Sequence, residues 1–221
     1  MNIENTLEQT IFQWTVSILT PIVLLLTVTR LLMTPLFLNI EYRMPNYPVD
    51  AYGFTQADRI KLAPLALGYL FNNAGPEFLG DQLDENGNPY YNERELSHMV
   101  DVKVLAKIAI KVWYGLLGLM LVLGLMANRY NFISTFQQGL AVGGKTTMFL
   151  LAGLLIFIAI NFNQVFITFH AIFFEGDSWI FLFSDTLIRL FPMRFWQDTF
   201  IALGGLTFAG GYLLWRYFSY K

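Results

Sequence analysis

The chain has 221 residues, of which 55% are hydrophobic and 17% aromatic, and only 14% are charged, against roughly 25% charged residues in an ordinary soluble domain. This composition indicates an integral membrane protein. A net charge of −2 excludes the basic surface that nucleic acid requires, and the absence of cysteine excludes disulfides, a thiolate nucleophile and cysteine-ligated metals.

Four apolar segments come close to the ~20 residues that a ~30 Å hydrocarbon core requires. They are residues 11–38, 107–127, 147–169 and 200–217. The loop between the second and third segments and the tail ending at Lys221 carry basic residues without acids, which favours a cytoplasmic location for both termini. We therefore predict a single multi-pass membrane domain over 1–221, with residues 41–103 and 171–197 on the extracytoplasmic side.

The first outer segment carries local folding motifs. Thr55, followed three residues later by Asp58, predicts a helix start, and Pro64 is expected to interrupt or kink that helix. Asn86-Gly87 predicts a hairpin because both residues tolerate positive φ. The fold class predicted is mainly α, a four-helix membrane bundle with a small extracytoplasmic α+β cap formed by residues 41–103.

Asn92 and Glu95 form a second capping pair, which predicts one continuous helix from about Glu93 through Ala127. His98 and Asp101 fall in its first turns, on one side of the helix. The opposite side carries three basic residues whose side chains we expect to extend to the membrane interface: Lys103, Lys107 and Lys111.

Polar residues also gather at the outer end of the third segment: Asn161, Asn163 and Gln164. Asn163 and His170 are seven residues apart and share a helix face, and polar groups at this depth usually face a bundle interior or a wet cavity. Asp177 is predicted to cap a short interfacial helix that ends before Pro192, with Trp179 at headgroup depth.

His98 and His170 are the only histidines of the chain, and the topology assigns both to one face of the membrane. Histidine is the side chain best suited to proton transfer near neutral pH, so the pair indicates an enzyme. At 1.5 Å per residue the two differ by ~7 Å in height, which helix tilt must close. Arg30 lies ~12 Å below the outer end of the first segment and needs a partner, either an acid or a substrate oxygen.

Two other functions fit the same residues. A metal-dependent membrane hydrolase could use two imidazoles with carboxylates as ligands, from His98, Asp101, His170 and Glu175 or Asp177. A non-enzymatic lipid-binding or transport protein is the other alternative, although the sequence shows no internal repeat of the kind that transporters usually carry.

Three blocks carry a resemblance to a known family: Glu41-Tyr42-Arg43 with Tyr47–Thr55, then Glu95–Lys103, then Phe169–Phe174 followed by Trp179, Pro192 and Trp196. In their spacing and in the four-span layout they resemble the bacterial lipoprotein intramolecular transacylases. The His-x-x-Asp-Val-Lys and Phe-His-x-x-Phe-Phe blocks are the most specific parts. The resemblance implies a bacterial cell-membrane enzyme that moves the sn-2 acyl chain of a diacylglyceryl-cysteine lipoprotein to the cysteine α-amino group, giving the lyso form.

The resemblance assigns catalysis to His98 and His170. We also predict residues that support the site or line the substrate pocket: Asp101, Asn163, Arg30, Tyr42, Asp177 and Trp179. The expected partners are the diacylated lipoprotein and membrane lipid, with no cofactor, no metal and a monomeric chain.

The chemistry fits these residues independently of the resemblance. An α-amino group titrates near ~7.7–8.0 and an imidazole near ~6.5, so a histidine can take the proton as the nitrogen attacks the ester. A general acid must then protonate the departing alkoxide. Both reacting groups belong to one substrate, so no covalent enzyme intermediate is needed. Asp101 could fix the tautomer of His98, and either histidine could be the base.

Overall fold

A computed structural model describes residues 7–219. In that range the chain forms nine helices: α1 (Leu7–Leu32), α2 (Pro35–Glu41), α3 (Gln56–Phe71), α4 (Glu77–Gly80), α5 (Glu93–Arg129), α6 (Ile133–Ile160), α7 (Phe162–Phe173), α8 (Thr186–Leu190) and α9 (Met193–Phe218). The mainly helical prediction is confirmed. Its β part is not, because the described residues contain only an isolated antiparallel bridge, Leu83–Pro89, around the predicted turn. Lys221 lies outside the described residues.

The two predicted capping pairs are both present. The Thr55 side chain accepts a hydrogen bond from the Asp58 amide, and Asp58 accepts one from the Thr55 amide. The helix that they start, α3, continues through Pro64 to Phe71, so the proline does not end it. Asn92 and Glu95 exchange the same pair of bonds at 2.9 and 3.0 Å, and α5 follows without a break, as predicted.

The third predicted span, 147–169, is wrong as a single helix. The helix is interrupted at Asn161, whose backbone (φ −151°, ψ 74°) is not helical. The Asn161 side chain accepts a hydrogen bond from the Gln164 amide at 3.2 Å. An asparagine side chain that caps a new helix competes with continuation of the old one. Residues 133–146, predicted as loop, belong to α6.

Asp177 does not cap a helix either. Residues 176–179 form turns, and the next helix, α8, begins only at Thr186. The carboxylate of Asp185 accepts a hydrogen bond from the Leu182 amide at 2.8 Å, which holds the chain in an irregular loop up to that point. Residues 177–191 therefore contain one short helix, Thr186–Leu190, instead of the longer one expected there.

Among the described residues, α1, α5 and α6 are long and apolar enough to cross a membrane. The predicted fourth span, 200–217, lies within α9, which is continuous but is not among those three helices. The four-span count therefore stays a prediction.

The contacts divide the chain into two units. The long-helix unit comprises the described parts of Met1–Arg30, Ile110–Ile160 and Ile201–Lys221. Its helices pack through small residues: a Cβ at Gly143 would lie 2.8 Å from the Ser17 carbonyl oxygen of α1, and one at Gly144 would lie 2.5 Å from the Gly211 carbonyl oxygen of α9. Close backbone approach at such residues is how membrane helices associate when burial of apolar surface gives no driving force between them.

The histidine unit comprises Leu31–Ala109 and Asn161–Phe200. Its main apolar core brings together buried side chains from four helices: Leu62 and Tyr69 of α3, Leu79 of α4, Met99 of α5, and Leu187 and Leu190 of α8. Burial of these side chains fixes the first turns of α5 against the outer loop. Both histidines belong to this unit.

Candidate active site

Two helices of the histidine unit bring His98 and His170 together. His98 lies in the second turn of α5 and His170 in the last turn of α7, and their side chains are buried, at 7% and 8% exposure. The ring centroids are 6.0 Å apart and the ring planes differ by 25°. The height difference expected from the sequence is thus closed, and two imidazoles lie side by side.

A backbone hydrogen bond fixes the tautomer of His170. Its Nδ1 lies 2.8 Å from the carbonyl oxygen of Phe166. Because a carbonyl can only accept, Nδ1 carries the hydrogen, and Nε2 of the neutral ring has a free lone pair. Nδ1 of His98, in contrast, is buried without a hydrogen-bond partner in the structure.

Aromatic rings surround both imidazoles. Phe174 and Phe181 meet His98 at centroid distances of 4.9 and 5.3 Å. Phe166 lies 4.2 Å and Trp179 5.0 Å from the ring of His170. These four residues define the aromatic pocket, which covers the imidazoles and shields them from water.

The same burial keeps both histidines neutral. Both rings lie outside the apolar stretches expected to cross the membrane, because His98 precedes residue 107 in α5 and His170 follows the end of α6 at Ile160. Burial, with a smaller contribution from the neighbouring His170, lowers the pKa of His98 to about 4. Burial also lowers the pKa of His170, against the opposing effect of its hydrogen bond to Phe166. Both rings are therefore unprotonated near neutral pH and able to accept a proton.

The other predicted site residues are distributed differently. Asp101, Asn163 and Asp177 are exposed, and in the described structure Asp101 forms no hydrogen bond with Nδ1 of His98. Tyr42 is buried in a second apolar cluster, and its hydroxyl donates to the Leu190 carbonyl at 2.9 Å. Arg30 belongs to the long-helix unit.

The metal alternative required acidic side chains beside the histidines. Within residues 7–219, no three His, Asp or Glu side chains come together as a metal-binding group. Glu175 and Asp177, the carboxylates proposed for it, are both exposed.

Sequence reasoning missed three kinds of residue at this site. Two residues of the aromatic pocket, Phe174 and Phe181, were not singled out as neighbours of His98. The high aromatic content of residues 173–183 is nevertheless visible in the sequence. Ser178, whose hydroxyl is buried without a partner, was not singled out either. Glu95 was identified as a cap, but its second bond, from the Leu187 amide at 2.6 Å, links α5 to the start of α8.

In the described residues, a mainly helical fold with three apolar helices of membrane length defines the chain as a membrane protein, and its two histidines form one buried pair. Residues 14–196 match the family described as lipoprotein intramolecular transacylase Lit. The chain belongs to this family of membrane acyltransferases.

Individual proteins and solved structures are also similar to this chain. An uncharacterized protein of Aquifex aeolicus (strain VF5) is 31% identical over 185 residues, which cover 84% of this chain and 82% of the relative. The membrane integral lipoprotein intramolecular transacylase Lit from Bacillus cereus superimposes with a TM-score of 0.80 at 21% identity, over 96% of this chain and 95% of that one. A histidine-to-alanine variant of that protein superimposes with a TM-score of 0.75 at 20% identity, over 96% of this chain and 93% of the variant.

Proposed function

We propose that this protein transfers the sn-2 acyl chain of a diacylglyceryl-cysteine lipoprotein to the α-amino group of the same cysteine, with His98 and His170 as the catalytic residues. The observation that carries the proposal is the pair of buried imidazoles with ring centroids 6.0 Å apart. Transfer from an ester oxygen to an amine requires one proton to leave nitrogen and one to reach oxygen. Two adjacent imidazoles can serve these two atoms of one substrate.

The tautomer of His170 favours it as the base. Its Nδ1–H is bound to Phe166, so Nε2 accepts the proton of the attacking amine. His98 starts neutral and receives this proton from His170, its neighbour in the pair. Because burial lowers the pKa of His98, its protonated form is a strong acid and readily passes the proton to the glyceryl oxygen as the C–O bond breaks. The nitrogen gains the acyl group and loses one proton, and the glyceryl oxygen loses the acyl group and gains one.

The surroundings of the pair support a lipid substrate. The aromatic pocket can hold an acyl chain, and the outer loop beside it exposes large apolar side chains: Ile180 at 52%, Leu182 at 65% and Phe183 at 80%. We propose that this loop lies at the outer membrane interface and forms one wall of the lipid entrance. Loop charges favour cytoplasmic termini and an extracytoplasmic site. Because both histidines come from one unit of one chain, a monomer suffices.

The supporting residues remain part of the proposal in different ways. Trp179 contacts His170 directly and is a wall of the pocket. Asp101, Asn163 and Asp177 are exposed polar groups that can meet the polar part of a lipoprotein. Tyr42 contributes by holding Leu190 in place through its hydroxyl.

The test uses the full chain in liposomes with a diacylglyceryl lipopeptide that has a free α-amine and a deuterated sn-2 chain. Mass spectrometry should find the deuterated chain on nitrogen. His98→Gln and His170→Gln keep a polar side chain but cannot shuttle a proton, so each should lower the rate by ~10²–10⁴-fold. Lys111→Gln, at an exposed position, is the control and should retain the rate.

Two results would contradict the proposal. If both glutamine variants retain near wild-type rates while unfolding at the wild-type temperature, the two-histidine mechanism is wrong. If the deuterated chain appears as free fatty acid, the protein is a hydrolase and the transfer assignment is wrong.

A further inference from the structure

Two rings at the histidine pair carry buried polar atoms without a partner. Among the residues that the structure describes, six buried side-chain nitrogen or oxygen atoms have no hydrogen-bond partner, and Nδ1 of His98 and Nε1 of Trp179 are two of them. The hydroxyl of Ser178, the residue before Trp179, is a third. Buried polar groups are nearly always paired, because leaving one unpaired is costly. Two unpaired groups on rings of one site therefore indicate a site that a ligand completes.

The indole of Trp179 is the most restricted of these groups. An indole N–H can only donate a hydrogen bond, so its missing partner must be an acceptor. The indole ring lies 5.0 Å from the ring of His170, with the planes 32° apart. His170 in turn lies beside His98. The unpaired donor thus belongs to the ring that borders the catalytic pair.

The proposed reaction creates an acceptor at this position. When the amine nitrogen attacks the ester carbonyl, a C–N bond forms and the carbonyl π electrons move onto oxygen, which becomes an oxyanion. When the intermediate collapses, these electrons restore the C=O bond and the glyceryl C–O bond breaks. The two imidazoles are engaged with the proton that moves from nitrogen to the glyceryl oxygen, so a different donor must stabilise the oxyanion.

We propose that the indole N–H of Trp179 is this donor and binds the acyl carbonyl oxygen most strongly when it carries negative charge. The assignment rests on the proposed transfer reaction and adds a third catalytic residue to it. A donor that the fold holds without a protein acceptor breaks no existing hydrogen bond when the substrate arrives. Such preorganised donors in a site that excludes water are among the largest contributions to catalysis of acyl transfer.

The experiment removes the N–H and keeps the ring. Trp179 is replaced by 3-benzothienylalanine, in which sulfur takes the place of the indole N–H, and in parallel by phenylalanine. Rates are measured with the same deuterated lipopeptide in liposomes over a range of substrate mole fractions, to separate kcat from KM. Trp215→Phe is the matched control and should retain the wild-type rate, because Trp215 belongs to the long-helix unit and packs against Tyr212.

Loss of an oxyanion donor should lower kcat by ~10²–10³-fold with KM nearly unchanged, and both Trp179 variants should show it. A purely structural role for the ring predicts that benzothienylalanine retains the wild-type rate, and this result would overturn the assignment. So would a Ser178→Ala variant that loses activity while both Trp179 variants keep it, because the hydroxyl would then be the unpaired group that matters.

These outcomes are separable from failure of the proposed function. If the wild-type protein and the Trp179 variants form N-acyl product at the same rate, the transfer reaction stands and only the oxyanion assignment is wrong. If the wild-type protein forms no N-acyl product, the proposed function fails and the donor role of Trp179 with it.

Discussion

Replacing Glu95 by glutamine should destabilise the fold around His98. The carboxylate is buried, at 1% exposure, and accepts two backbone hydrogen bonds, from Asn92 at 2.9 Å and from Leu187 at 2.6 Å. A carboxylate can accept both, whereas the amide of glutamine has one oxygen and one NH₂ group. In Glu95→Gln one of the two backbone donors must face another donor.

Burial raises the pKa of Glu95 against the two backbone hydrogen bonds, which lower it, so its charge by itself does not stabilise the fold. The loss comes from a buried backbone donor left unpaired, which costs about 1–3 kcal/mol, and Glu95→Ala, which leaves both amides unpaired, should cost about twice as much. For a chain of this size each kcal/mol lowers the unfolding temperature by about 2–4 °C. We expect a decrease of roughly 2–12 °C for the glutamine variant.

The assay is thermal unfolding of the purified protein in detergent, with Glu93→Gln as the control. Glu93 lies in the same helical turn and is exposed. Its substitution should therefore change the free energy of unfolding by no more than surface substitutions usually do, about 0.5 kcal/mol, and leave the unfolding temperature nearly unchanged. Equal unfolding temperatures for Glu95→Gln and Glu93→Gln would refute the conclusion that the buried carboxylate stabilises the junction of α5 and α8.

Two further variants test other buried charges by thermal unfolding. Lys103→Met should lower the free energy of unfolding by roughly 2–4 kcal/mol, because Nζ of Lys103 donates to Asn72 Oδ1 and to the Ala74 carbonyl at 2.8 and 2.6 Å. The control Lys107→Met should lower it little. Equal losses of unfolding free energy in the two variants would contradict this prediction. Burial and the charge of Asp198 raise the pKa of Glu41 to about 7, so folding stability falls as pH rises from about 4.5 to 7. Glu41→Gln should therefore raise the unfolding temperature at pH 8 and change it little at pH 5, and an equal gain at both pH values would contradict the linkage.

Local chemistry explains which parts of the fold could be predicted. The two capping pairs were predicted correctly because a cap and its helix start are only three residues apart in the chain, and both bonds form between those residues. The continuous helix over Glu93–Arg129 followed from the same motif and a long apolar run. These features depend little on the rest of the molecule.

The break at Asn161 shows where hydropathy was insufficient. The mean hydropathy of residues 147–169 is high enough for one span. A mean value does not show that a single side chain within the window caps a new helix. Asn161 was noted as polar, but its capping of α7 depends on its backbone conformation, which hydropathy does not report. The hydrogen bonds of Lys103 to Asn72 and Ala74 could not be predicted for a related reason, since they join residues about thirty positions apart in the chain.

The proximity of the two histidines could be predicted, but their environment could not. Only two histidines exist, so naming His98 and His170 required topology alone. The tautomer role of Asp101 stays a prediction; in the structure Nδ1 of His98 has no hydrogen-bond partner, and the ring packs against Phe174 and Phe181. Side-chain direction at a helix surface depends on what packs against it, and those rings come from a loop more than seventy residues further along the chain.

The aromatic pocket has a consequence for stability as well as for catalysis. Because burial lowers the pKa of His98 from 6.5 to about 4, the unfolded chain binds a proton between these pH values that the folded chain does not, and stability falls as pH decreases through this window. An exposed histidine would avoid this loss, but it would be surrounded by water that competes for the acyl group. An imidazole kept neutral and dry is instead available as a base at the pH where an α-amine is also unprotonated. In the proposed reaction, the same rings that weaken the fold in acid would therefore keep water away while nitrogen takes the acyl chain.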